Sequence, residues 1–198
     1  LQTQELTRGF ADPVFAAQGV FRAAMWALSR PGRPQELPTD LVPPAPLSPE
    51  AAALALTLCD YETPVFLDAA LAADRAVSDF LRFHTGAPIV AQPGEARFAF
   101  IANPLNILDF SEFSLGSPDF PDASVTLILQ VAGFVDRGFT LEGPGIKGRI
   151  GFGAAPLPEH FAARMAANRA LFPRGVDLLL AGAGQVIGLP RSVAVQEG

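Results

Sequence analysis

Two histidines, one cysteine and one lysine bound the side-chain chemistry open to this chain of 198 residues. His84 has the clearest setting. Val77, Phe80, Leu81 and His84 fall at i, i+3, i+4 and i+7, one face of a helix, and Gly86 and Pro88 then stop the pattern. An imidazole there could serve as a general base or a ligand. A metal site needs further donors, and neither His84 nor His160 has a Cys or an acidic cluster near it in sequence. A histidine closing a helix also suits the helix dipole, which favours a structural imidazole bonded to backbone or placed at an interface. Arg82 lies off that face, free to pair with a carboxylate or an anion.

Gly143-Pro144-Gly145-Ile146-Lys147-Gly148 has the spacing of the G-x-G-x-x-G dinucleotide fingerprint, with Lys147 and Arg149 placed to meet a phosphate. The fingerprint must open a helix and be followed about 20 residues on by an acidic residue for the ribose. Here more glycines follow and no such acid is present, so the alternative is a hairpin or loop whose glycines permit positive φ. Cys59 lacks a neighbouring base and reads as a buried thiol. Asp60 with Glu62, and Asp119 with Asp122, lie in turn-like segments where carboxylates cap and solvate. No G-x-S-x-G, H-E-x-x-H or Walker A pattern occurs. These residues leave the catalytic groups unknown and give no metal site; Arg82, His84, Lys147 and Arg149 remain as ligand- or partner-binding candidates.

Composition narrows the classes further. With 49% hydrophobic residues and 16 Phe, the chain can bury one substantial core, which predicts a single domain over residues 1–198. The net charge is −6 and the arginines are scattered, which excludes a nucleic-acid stripe. Of the 14 basic residues only Lys147 is lysine, which leaves one position for Schiff-base chemistry. One cysteine excludes an internal disulfide framework, and no segment has the length of a membrane span or the pattern of a signal, so a cytoplasmic protein is expected.

The positioning elements follow from local signals. Asp12-Pro13 caps a helix that Pro31-Gly32 ends, with Val14, Phe21, Met25 and Leu28 as an apolar stripe needing a partner and Arg22 and Arg30 off it. Residues 31–49 hold seven prolines and read as an extended surface connector with no sheet or helix of its own. Ser48-Pro49 opens a second helix to about Leu58, Pro64-Val65-Phe66-Leu67 reads as a buried strand, and residues 71–84 as a helix. Further strands are expected at Ile89-Val90 and 98–101, and a short helix at 105–110. The run 125–131 predicts a central buried strand with 139–141 as its neighbour. Leu157-Pro158 leads into a helix to about Leu171, and the apolar runs 176–181 and 185–189 around Gly182-Ala183-Gly184 predict a hairpin. The fold class is α/β, a mixed sheet flanked by helices.

These segments in this order resemble the PhnH family, a subunit of the bacterial carbon-phosphorus lyase core complex of phosphonate metabolism. The matching residues are Phe21-Arg22 through Ser29-Arg30-Pro31-Gly32, Leu56-Thr57-Leu58 with Asp60, Thr63 through Leu67, and Leu81-Arg82-Phe83-His84-Thr85. They continue with Thr126 through Val131, Gly143-Pro144-Gly145-Ile146, Phe172-Pro173 and Leu189-Pro190-Arg191. The resemblance implies the fold of the pyridoxal-phosphate-dependent transferases without the cofactor site, and hence no cofactor. It also implies a homodimer in isolation, and PhnJ, PhnI and PhnG homologues as partners. The assembly would displace adenine from ATP with methylphosphonate, giving ribose 1-methylphosphonate 5-triphosphate. In that assembly the chain would be structural, and no catalytic residue carries over to it. The rival reading is a stand-alone phosphate- or nucleotide-binding enzyme using residues 143–153. A pyridoxal-phosphate enzyme is a third.

Overall fold

The computed structural model describes residues 7–198. In chain order the elements are α1 (Pro13–Ser29), β1 (Gln35–Glu36), α2 (Pro49–Leu58), β2 (Val65–Leu67), α3 (Ala69–Ala72), α4 (Arg75–Thr85), β3 (Ile89–Val90) and β4 (Phe98–Ile101). They continue with β5 (Thr126–Gln130), β6 (Gly133–Glu142), β7 (Ile150–Ala155), α5 (Phe161–Ala170), β8 (Asp177–Gly182), β9 (Gln185–Leu189) and β10 (Ala194–Glu197). Seven strands form one mixed sheet in the order β1-β9-β8-β5-β4-β2-β3. From β3 to β8 the neighbours are parallel; β9 and β1 close the far edge antiparallel. A second, antiparallel sheet has the order β10-β6-β7. No helix among the described residues is long and apolar enough to cross a membrane.

The sheet is covered on both faces, which explains why its strands read as continuous apolar runs. Successive side chains point to opposite faces, so Ile128, Phe100, Leu179 and Ala181 join one buried cluster with residues of α1, α2 and α4. Leu127, Leu129, Ala99, Ile101, Leu178 and Leu180 join another with Leu141 and Phe152 of the small sheet and Phe161 and Met165 of α5. The capping signals are realised as side-chain bonds. The Phe15 amide donates to Asp12 Oδ1 (3.3 Å), the Ala51 amide to Ser48 Oγ (3.1 Å), and Gly86 ends α4 at φ 71°.

Four expectations about element bounds and strand pairing need correction. Residues 139–141 do not flank β5; they lie in β6, paired with β10 and β7, while β5 runs between β4 and β8. Periodicity reports a strand and not its sheet. The helix expected over 71–84 is two, because Asp74 starts a new one by accepting the Ala76 amide (2.9 Å). The region expected to hold a short helix at 105–110 forms instead 3-10 turns at Pro104–Asn106 and Phe110–Glu112. The proline-rich connector does contribute a strand: β1 pairs with β9 for two residues, and Pro34 and Pro38 beside it keep that edge short.

Helix α1 departs furthest from its reading. Its buried residues are Val20, Ala23, Ala24 and Ala27, whereas Val14, Phe15, Phe21, Met25 and Trp26 are 43–74% exposed. The cause is a close approach to β9. A Cβ on Gly188 would lie 2.6 Å from the Ala27 carbonyl and 2.7 Å from the Leu28 amide nitrogen, so only small residues fit between helix and sheet. The large side chains are therefore turned outward.

Candidate functional site

In open α/β sheets ligands bind beyond the carboxyl ends of the strands, where successive connections leave in opposite directions. That point lies between β2 and β4, since the chain passes from β2 out to β3 and back to β4 on the other side. Asp68, which follows β2, stands there. Its Oδ1 accepts the Leu71 amide (3.0 Å) and caps α3, while Oδ2 accepts the Asn103 amide beyond β4 (3.0 Å). At the end of β5, Gln130 Oε1 accepts the Ser48 amide (2.7 Å) and Nε2 donates to the Pro46 carbonyl (2.9 Å). Glu50 Oε1 accepts the Gly184 amide in the β8–β9 turn (2.8 Å). These side chains fasten loops to strand ends, and both polar atoms of Asp68 and of Gln130 are already engaged by backbone. The sequence reading did not single out Asp68; its signal was a carboxylate placed between a strand and a helix start.

His84 is half-buried at the end of α4, beside the edges of Phe80 and Phe83 at ring-centroid distances of 4.6 and 5.0 Å. Its Nε2–H donates to the Thr7 carbonyl (2.9 Å), and a Cβ on Gly9 would lie 2.9 Å from Nδ1. The imidazole thus holds the backbone of residues 7–10 against α4. Arg82 is exposed on the neighbouring face and pairs with no carboxylate among the described residues. We expect His84→Ala to cost about 1–2 kcal/mol, one hydrogen bond plus some ring packing. The change would be read by urea unfolding and by faster proteolysis near residues 7–10. A stability equal to the parent would show that the clasp contributes nothing.

The glycine-rich stretch is the β6–β7 turn. Gly143, Gly145 and Gly148 adopt φ of 150, 82 and 74°, the Ile146 amide donates to the Gly143 carbonyl (3.1 Å), and the chain enters a strand. Among the described residues no helix starts at the loop. Lys147 is exposed, and Arg149 Nε donates to Glu142 Oε2 across the hairpin (2.9 Å) with both side chains open to solvent. Gly145 lies against the Ser29 carbonyl and Pro31, whereas α4 packs on α2. Lys147 and Arg149 therefore sit on a different element from Arg82 and His84, and the structure does not gather the four into one site.

Cys59, Asp60 and Asp109 are engaged in the fold itself. Burial pushes the Cys59 thiol far up, and the neighbouring Asp60 charge adds to that. Asp60 Oδ1 accepts the Glu62 amide (2.9 Å), a turn role. The hydroxyl and the amide of Ser111 hold the Asp109 carboxyl below its usual range, as expected of a capping carboxylate. Among the described residues no three His, Cys, Asp or Glu side chains could hold a metal ion.

Arg191 was part of the family-matching Leu189-Pro190-Arg191, but its role is visible only in three dimensions. Its Nε and Nη2 grip both oxygens of Asp177 (3.1 and 2.6 Å). Its Nη1 donates to the carbonyls of Pro121 (2.9 Å) and Pro173 (3.2 Å), and Nη2 also donates to Ser124 Oγ. With every arm of the guanidinium used, it joins three loops and leaves no donor for an anion.

What remains unused is surface. A cleft of about 550 Å³ lies between α5 and β10, where Arg169 Nε is turned to the Ser192 carbonyl (3.2 Å). The outer face of α1 is more distinctive, with Gln18, Phe21, Arg22 and Met25 lining a shallow groove of about 340 Å³ and Arg30 stacked 4.0 Å over the Trp26 ring. Aromatic and methionine side chains with arginine are the composition of interface cores.

Comparison with known proteins identifies the family. Residues 8–196 match the family described as bacterial phosphonate metabolism protein (PhnH). The chain is 43% identical over 197 residues, 98% of each, to a Rhizobium meliloti protein named alpha-D-ribose 1-methylphosphonate 5-triphosphate synthase subunit PhnH.

Proposed function

The chain belongs to the PhnH family, and on that premise we propose that it is a subunit of a ribose 1-methylphosphonate 5-triphosphate synthase in the carbon-phosphorus lyase pathway. Its work there is to support the assembly and not to supply reacting groups. The observation that carries the reading is the family match across nearly the whole chain. The engaged polar groups at the strand ends and the exposed apolar face of α1 agree with it.

The finer features of the reading are parts of the same proposal. The chain is one domain with the fold of the pyridoxal-phosphate-dependent transferases. A lysine for that cofactor is wanted near the strand ends, and Lys147 stands instead on an exposed turn of the second sheet. The subunit is a homodimer alone, cytoplasmic, and joins PhnJ, PhnI and PhnG homologues in the complex. Co-expression of the tagged chain with those homologues tests it. We expect co-elution on size exclusion and synthase activity only when the chain is included; separate elution of the chain would sink the proposal.

A further inference from the structure

We infer that the outer face of α1 is where a different subunit of the assembly docks, and that this partner presents an apolar groove rimmed by carboxylates. The inference rests on the subunit reading above and adds to it the surface and the chemistry of its partner.

Three features of the helix support it. The first is the amount of apolar surface. Val14, Phe15, Phe21, Met25 and Trp26 are each 43–74% exposed along one helix. At 150–250 Å² for a whole aromatic side chain, they leave roughly 500 Å² of largely apolar area in water, near the upper limit for a monomer's largest patch. With Gln18, Arg22 and Ser29 the face approaches the ~800 Å² per partner of a standard interface.

The second is rigidity. Ala23, Ala24 and Ala27 lie against the sheet at a separation that admits no Cβ on Gly188. Rolling the helix to hide Phe21 or Met25 would drive them into that contact. The apolar face is fixed outward by the core.

The third is charge, and it decides the partner. The chain carries a net −6, yet α1 has no acidic side chain between Pro13 and Ser29. Arg22 stands beside Phe21 in the groove, and Arg30 covers Trp26 at the helix end. A second copy would offer the same arginines, and its own α1 brings no carboxylate to meet them; Asp12, just before the helix, caps it through the Phe15 amide (3.3 Å). A face with cations beside an apolar centre is complemented by a different surface whose rim is acidic.

The test uses the full chain co-expressed with the other synthase subunits. Phe21→Glu/Met25→Glu changes two exposed residues, so thermal unfolding should match the parent. We expect the recovered complex to fall at least about tenfold, and Arg22→Glu to weaken it and flatten its salt dependence. Phe172→Glu, exposed beyond α5, should leave assembly intact. Retained assembly in the double variant overturns the inference while leaving the subunit reading standing. A chain that is dimeric alone, becomes monomeric in the double variant and still joins the complex assigns the face to a second copy and overturns it as well. If the parent chain does not join any complex, the subunit reading fails first and the inference with it.

Discussion

Replacing Arg191 by alanine is expected to lower unfolding free energy by about 3 kcal/mol, the lower end of what breaking a buried ion pair costs. The pair is not fully dry, with side-chain exposures of 12% for Arg191 and 24% for Asp177, which is why the upper end is not expected. Several losses coincide. Asp177 keeps the Arg191 backbone amide (2.8 Å) but loses two charged donors, and the Pro121 and Pro173 carbonyls and the Ser124 hydroxyl lose theirs. Arg191→Lys should recover less than half, because an ammonium cannot grip both carboxylate oxygens and reach three loops at once. Urea unfolding gives the magnitude, and hydrogen exchange should show the 114–125 segment and the turn at Pro173 loosened first. A loss below about 1 kcal/mol would mean that the cluster behaves as an ordinary surface pair.

Gly188→Val should cost about 2–3 kcal/mol, within the range for overpacking a core. The argument is steric: the added Cβ alone would lie 2.6 Å from the Ala27 carbonyl, so α1 must lift from β9 or the strand must bend. Because α1 also packs on α2 and β1, its displacement should spread to the proline-rich strap. Hydrogen exchange would then show loss of protection along α1 and at the β1–β9 pairing, with β4 and β5 little changed. Valine tolerated with parental protection in α1 would show that the helix is not held by this contact, and would remove the rigidity argument for its outward face.

Much of the architecture was legible because local rules wrote it. Asp12-Pro13, Ser48-Pro49 and Gly86 act within one helical turn, so the capping bonds and the left-handed stop at Gly86 follow from residue type. The apolar run of β5 needs cover on both faces, and it lies mid-sheet for that reason. Gly182-Ala183-Gly184 sits between two short apolar runs, and Ala183 and Gly184 take the positive φ of a tight hairpin. The assignment of β6 to a second sheet was not legible, because hydrophobic period is the same whichever sheet a strand joins.

The candidate residues divide in the same way. The helical face of His84 was readable, but its partner, the Thr7 carbonyl, lies 77 residues away. The fingerprint-like glycines were recognisable, but only the following strand shows that they form a hairpin turn. The amino-acid sequence by itself determined the family, the starts of α1 and α2, the stop of α4 and the buried run of β5, since these depend on near neighbours and on the order of segments. Tertiary structure alone decided which way α1 faces and what Arg191 joins. The former depends on the absent side chain of Gly188, and the latter on loops up to 70 residues apart brought within hydrogen-bonding distance.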